Sequence, residues 1–258
     1  MLTLRVALRY LISRKNHSAV NVISLISMTG VAVATMAIVC VLSVFNGFTE
    51  LAKSKISQLS PDLRIESREG KVIHGADSLT SIIRRLPEVA TAAPTIEEHA
   101  LAIYSGRQMP VVMKGVTEAY DTITEIRPIV KDDGTWILSD SVYGDFATLS
   151  VGVAITLEAH PGFYRSLDLY VPRRTGRINP ANPAASFRSD SLLVGGVFQT
   201  EQAEFDTDLI LLPLAATRRM LDYTDEATAI EVSLAPGISD SKGAKALRQM
   251  LGDSFYVK

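Results

Sequence analysis

"SAVNVISLISMTGVAVATMAIVCVLSVFNGF", Ser18–Phe48, contains no charged side chain. Arg5, Arg9, Arg14 and Lys15 precede it, and no carboxylate appears until Glu50. A bilayer core about 30 Å thick is crossed by about 20 apolar residues in a helix, and this run is long enough. A signal-peptide apolar region is shorter, about 7–15 residues, and closes on small residues. Here the apolar character runs on past Ala37 through "IVCVLSVF", with bulky Val39 where a lipoprotein cleavage box needs a small residue. A buried helix of a soluble protein rarely runs so far without a charge. The reading that follows is a retained transmembrane helix over residues 18–48.

The basic flank orients it. Lys and Arg stay on the cytoplasmic side, so the N-terminus is expected inside and the chain after Phe48 outside. Before the span, Arg5 and Arg9 share one helical face while Leu4, Leu8, Leu11 and Ile12 fall largely on another. That pattern predicts a cytoplasmic amphipathic segment over residues 1–17, suited to membrane lipid at the inner interface. Small residues, Ser27, Gly30, Ala34 and Ala37 among them, permit close helix approach in lipid. They are the candidate residues for packing against further membrane helices.

Composition bounds the function. The net charge of −2 gives no support to nucleic-acid binding. The mean hydropathy of +0.18 is high for a soluble chain, and the excess lies near the N-terminus. Cys40, the single cysteine, sits inside the apolar run, so no internal disulfide can form.

Residues 49–258 read as an exported domain. "SPDLRIES" is a turn and a strand. "DSLTSIIRRLPEV" is a helix capped by Asp77 or Ser78 and stopped near Pro87. "TIEEHALAIYSGRQMPVVMKGV" is a hairpin around Ser105-Gly106. "TEAYDTIT" is a short helix. "VYGDFATLS" followed by "VAITLEA" suggests a helix and then a strand. "RSLDLYVP" and "SLLVGGVFQT" are strands, "DTDLILLPLAATRRMLDY" passes from strand to helix, and the chain closes strand–helix–strand. The expected fold class is α+β, with one N-terminal transmembrane helix and a domain of two lobes.

Between two of those strands stands "VPRRTGRINPANPAASFRSD", Val171–Asp190. Connections longer than about 12–15 residues are uncommon in compact domains and are often functional. Pro172, Pro180 and Pro183 restrict the free chain, which lowers the entropy lost on binding. Arg173, Arg174, Arg177, Ile178 and Phe187 add cations and apolar contacts, so this loop is the candidate partner-binding element.

The chemistry of an enzyme is missing. There is no G-x-x-x-x-G-K-[ST] phosphate loop, no H-E-x-x-H spacing and no G-x-S-x-G elbow. Glu97, Glu98 and His99 are consecutive on a predicted strand, which points them to alternate faces and favours a solvated edge over a metal site. Asp132-Asp133-Gly134 reads as a turn. No catalytic residue, metal site or cofactor is expected.

"ALRYLISRKN" followed by "VISLISMTGVAVATMAIVCVLSVFNGF" resembles the start of lipoprotein-releasing ABC transporter permeases of the LolC/LolE type, within the MacB-like and FtsX-like permease group. The resemblance continues more weakly through "ILSDSVYGDFATLSVGVAITL" and "LLVGGVFQTEQAEFDTDLILLPLAATRRML". It implies a MacB-like periplasmic core domain in the bacterial inner membrane. It implies a cytoplasmic ABC ATPase subunit, a second permease copy or paralogue, lipoprotein substrates and a periplasmic lipoprotein carrier. By position it identifies Arg173–Phe187, within a hook-like loop at 172–188, as the element that grips the carrier. The loop is longer and richer in proline than in the best-known members. Such permeases have four membrane helices, and this sequence stops where the second should begin, so the chain is expected to be a fragment. Two other readings stay open: a MacB-like efflux or FtsX-like regulatory permease, and a single-pass periplasmic binding or sensor module.

Overall fold

The structure, a computed structural model, describes residues 19–56, 59–131, 133–174, 186–200 and 202–258. The amphipathic segment expected over residues 1–17 lies outside them. Two compact bodies divide the chain after Ser54. Among the described residues the first is helix α1, Ala19–Ile56, whose last two residues fall in the second. Its segment Val22–Thr49 is long and apolar enough to cross a membrane, with a mean hydropathy of 2.4 and none of it buried. Thr29, Thr35 and Thr49 turn their hydroxyls back onto the carbonyls four residues earlier, which satisfies them without water.

The second body is built from β1 (Leu63–Ser67), α2 (Ala76–Ile83), β2 (Val89–Tyr104), β3 (Arg107–Val116), α3 (Tyr120–Ile123), α4 (Ile126–Ile129), β4 (Ser139–Asp140) and β5 (Gly144–Ser150). It continues through α5 (Val151–Leu157), β6 (Gly162–Pro172), β7 (Phe187–Phe198), α6 (Ala203–Asp206), β8 (Leu209–Pro213), α7 (Leu214–Leu221), β9 (Ala229–Leu234), α8 (Asp240–Leu251) and β10 (Phe255–Val257).

Strand β2 belongs to both lobes. Its first half pairs antiparallel with β9, Ala93 opposite Glu231, in a sheet ordered β10-β1-β9-β2. Its second half pairs with β3, Glu97 opposite Lys114. From there the pairing runs β3-β8-β5-β7-β6, and β6 returns to β2, Leu101 opposite Tyr170. Six strands therefore close into a ring, and closure removes exposed strand edges. One apolar core runs through both lobes, from Ile65, Ile83 and Val232 to Met113, Leu169 and Ile210. A smaller core gathers Leu59, Tyr120, Trp136 and Phe198.

The β2–β3 hairpin turns at Ser105-Gly106 as expected. Both residues have positive φ, 53° and 84°, the geometry whose twist matches flanking strands. The expected order over residues 142–159 is reversed: Gly144–Ser150 is a strand and Val151–Leu157 a helix. The strand is fixed by partners distant in sequence, β7 and β8. Gly152 lets the helix touch the carbonyl oxygen of Asp206, which a Cβ would meet at 2.5 Å. The α2 cap also differs. Gly75, with φ 67°, precedes the helix and no side chain caps it, because the Asp77 carboxylate is drawn to Arg218, 2.9 Å away.

Candidate functional site

The strands that flank the loop singled out above, β6 and β7, belong to the six-stranded ring. Strands β6 and β7 pair up to Pro172 opposite Phe187, and Arg173 N donates to Ser186 O at 2.8 Å. Arg177, Ile178, Pro180 and Pro183 lie outside the described residues. Arg173 is exposed, its Nε 3.5 Å from Phe187 O. The Arg174 guanidinium lies 4.7 Å from the centre of the Tyr223 ring, a cation–π distance. Phe187 is 42% exposed. The structure thus brings Arg173, Arg174 and Phe187 together at the foot of the loop. Neither arginine is paired with a carboxylate among the described residues.

Beside them the strands are pinned by charge. Arg188 Nη2 lies 3.1 Å from Asp222 Oδ2, and its Nη1 donates to Arg219 O. Arg219 Nη2 reaches Asp145 Oδ2 at 2.6 Å and Asp190 Oδ2 at 2.9 Å, so α7 ties β5 to β7. These charges enclose an open hollow of about 470 Å³ lined by Arg173, Phe187, Arg188, Asp190, Arg219 and Met220. The arrangement offers two exposed arginines with no carboxylate partner among the described residues and a partly exposed aromatic ring.

On α1, Ser27, Gly30, Ala34 and Ala37 follow spacings of three, four and three, which places them along one face. All four are exposed, and a Cβ added at Gly30 would meet nothing within 4 Å.

A second charged assembly escaped the sequence reading. Lys114 Nζ on β3 lies 2.6 Å from Glu231 Oε1 on β9 and 3.2 Å from Glu97 Oε1 on β2. Arg64 on β1 donates from Nη1 and Nη2 to the two Glu97 oxygens, both at 2.9 Å. Lys114 and Glu231 are buried, and Glu231 Oε2 has no hydrogen-bond partner among the described residues. Burial would lower the Lys114 ammonium, but the charges of Glu231 and Glu97 with the Tyr120 ring beside them hold it well above its ordinary value. Burial would raise the Glu97 carboxyl, but the Arg64 hydrogen bonds and Lys114 outweigh it and hold it down to about 2. Burial pushes the Tyr120 phenol up to about 12. Glu97 is therefore half-buried in an ion network, contrary to the solvated edge expected of it, while Glu98 turns to Lys71 at 2.6 Å. A lone lysine in "VVMKGV" and a lone glutamate in "AIEVSL" were the visible signals: each is one charge in an apolar strand. No group of acidic, histidine or cysteine side chains that could hold a metal ion occurs among the described residues.

Residues 24–250 match the family described as the MacB-like periplasmic core domain. Over 254 residues the chain is 26% identical to the lipoprotein-releasing system transmembrane protein LolC of Neisseria meningitidis serogroup B, covering 95% of this chain and 56% of the relative. It is 24% identical to the corresponding LolE of Haemophilus influenzae over 231 residues, 88% of this chain and 53% of the relative. The chain thus spans about half the length of these relatives. Among solved structures, the periplasmic region of MacB from Actinobacillus actinomycetemcomitans superposes with a TM-score of 0.52 at 10% identity, over 76% of this chain and 87% of that one. The extracellular domain of the ABC-type transporter YknZ does so with the same TM-score at 11% identity, over 76% and 98%.

Proposed function

We propose, from the premise that the chain belongs to the family of MacB-like periplasmic core domains, that it forms part of a permease subunit of a lipoprotein-releasing ABC transporter. The similarity to LolC along 95% of the chain carries this reading. In it α1 anchors the subunit in the bacterial inner membrane, the N-terminus is cytoplasmic and the β-rich domain is periplasmic. The subunit does no chemistry. A separate cytoplasmic ATPase hydrolyses ATP, and a second permease copy or paralogue packs on the face of Ser27, Gly30, Ala34 and Ala37. Lipoproteins leave the membrane through the complex and pass to a periplasmic carrier held by the Arg173–Phe187 loop. The efflux reading is supported by likeness of fold alone.

The loop supplies the test. The full chain in nanodiscs is mixed with the purified lipoprotein carrier of the same bacterium. Deleting Gly176–Ala184 is expected to abolish binding while leaving the melting temperature nearly unchanged. Undiminished binding by the deleted form would overturn the docking role of the loop.

A further inference from the structure

A cleft of about 420 Å³ opens beside the Lys114–Glu231 ion network and has no part in the lipoprotein reading. Its walls come from both lobes. Asp62 leads into β1 and Arg64 lies on it, Lys114 is on β3, Glu204 and Phe205 are on α6, and Asp208 leads into β8. These walls are held in place. Asp62 Oδ2 accepts hydrogen bonds from Leu234 N at 2.7 Å and Ser233 Oγ at 3.1 Å. The Asp208 carbonyl accepts from Val112 N at 2.9 Å, which fixes Asp208 against β3. Small ligands bind in concave sites with an apolar lining and a few fixed polar groups. Here Leu59, Val112, Phe205 and Leu209 supply the apolar part.

The balance of charge selects the ligand. Each cation on the walls is already matched: Lys114 by Glu231 and Glu97, Arg64 by Glu97 and Glu66, Lys258 by Glu66. Arg64, Lys114 and Lys258 thus cancel Glu66, Glu97 and Glu231. Asp62, Glu204 and Asp208 line the same cleft with no cationic partner among the described residues, so negative charge is in excess. Behind the wall, the buried Glu231 Oε2 adds an oxygen without a hydrogen-bond partner among the described residues. A concave surface with one sign of charge over low-dielectric walls gathers ions of the other sign. The carboxylates do not converge as metal ligands do, since no group that could hold a metal ion occurs among the described residues. The half-buried Phe205 sits between Glu204 and the other wall residues in the chain, and aromatic rings attract organic cations.

We infer that this cleft binds a small organic cation, an ammonium group with an apolar body. Asp62, Glu204 and Asp208 hold the charge, and Phe205 and Leu209 hold the body. The site uses none of the residues of the β6–β7 loop, so it stands or falls apart from the docking reading.

Isothermal titration calorimetry on the full chain in nanodiscs, with empty nanodiscs as the blank, measures it. The probe is benzyltrimethylammonium, a permanent cation. Saturable binding is expected, with benzoate and benzyl alcohol, which keep the aromatic body, at least about ten-fold weaker. Glu204→Gln with Asp208→Asn is expected to weaken the cation about ten-fold. Phe205→Leu, which keeps the packing, is expected to weaken it about three-fold. Glu69→Gln removes an exposed carboxylate beyond the other end of β1 and is expected to change Kd less than about two-fold. Should the double variant lower the melting temperature, Glu204→Gln alone replaces it, since Glu204 is exposed. No saturable heat above the blank, benzoate binding as tightly as the cation, or a variant of the carboxylates no weaker than Glu69→Gln would each overturn the site. A lysine tripeptide binding more tightly than the probe would assign the cleft to a basic peptide and overturn the small-molecule assignment.

Discussion

Lys114 Nζ and Glu231 Oε1 stand 2.6 Å apart, on strands β3 and β9 that do not pair with each other, and both side chains are buried. The bond spans the place where β2 leaves one lobe and enters the other. Removing one member of a buried pair strands a charge and costs about 3–5 kcal/mol, whereas replacing both with apolar residues is often neutral. Lys114→Met leaves Glu231 only Arg64 Nη1 at 3.6 Å and is expected to lower unfolding stability by up to that amount, and Lys114→Met with Glu231→Leu to recover most of it. Trp136, the single tryptophan, packs 6.2 Å from Tyr120 and reports unfolding by its fluorescence. A double variant no more stable than Lys114→Met would show that the pair is not an isolated unit.

The same network sets an acid limit. The Glu97 carboxyl is held down to about 2 from an ordinary value near 4.5, by Arg64 and Lys114 against the opposing effect of burial. A carboxylate with a depressed folded-state pKa contributes its stability above the unfolded value and loses it as pH falls through the folded one. The loss is expected between about pH 4.5 and pH 2 and is of the order of 2–3 kcal/mol. Denaturant titrations from pH 6 to pH 2 measure it. Glu97→Gln should be less stable at pH 6 and have a flatter acid limb.

Gly115 lets β3 meet α7. A Cβ there would stand 2.7 Å from Thr217 Cβ and closer still to its hydroxyl, which already bonds Pro213 O. Overpacking a filled interior costs about 1–3 kcal/mol, so Gly115→Ala should lower the midpoint of unfolding accordingly. Pairing it with Thr217→Ala should restore only part of the loss, since the hydroxyl goes but the Cβ at 2.7 Å stays.

Orientation in the membrane is testable by thiol labelling in a Cys40→Ser background. An impermeant reagent added outside the inner membrane should modify Glu69→Cys, which is exposed. It should leave Ser13→Cys untouched. The reverse pattern would overturn the inward N-terminus.

What the sequence made legible was local. The hairpin could be read because Ser105-Gly106 is a two-residue turn between apolar runs, and α1 because its apolar length exceeds a bilayer. What it hid depended on distant partners. The β5–α5 order was misjudged because β7 and β8, which make Gly144–Ser150 a strand, come some fifty residues later in the chain. Asp77 read as a cap because Arg218, its actual partner, is 141 residues away. At the candidate site the loop and its arginines were visible, since length and composition are properties of one segment. The α7 bridge through Arg219 was not, because it joins three elements.

Because β1 lies between β9 and β10, order of synthesis matters. Leu63–Ser67 leaves the ribosome long before Ala229–Leu234 and Phe255–Val257, the two strands that flank it. The six-stranded ring closes using residues from 96 to 213 and can be complete while β1 still waits. Distant pairings close slowly, and a waiting strand is open to wrong partners. The last pairing to form is thus expected to be that of the late-arriving Glu231 with Lys114 and Arg64, which makes residues 229–258 the part whose delay would leave an otherwise folded domain open.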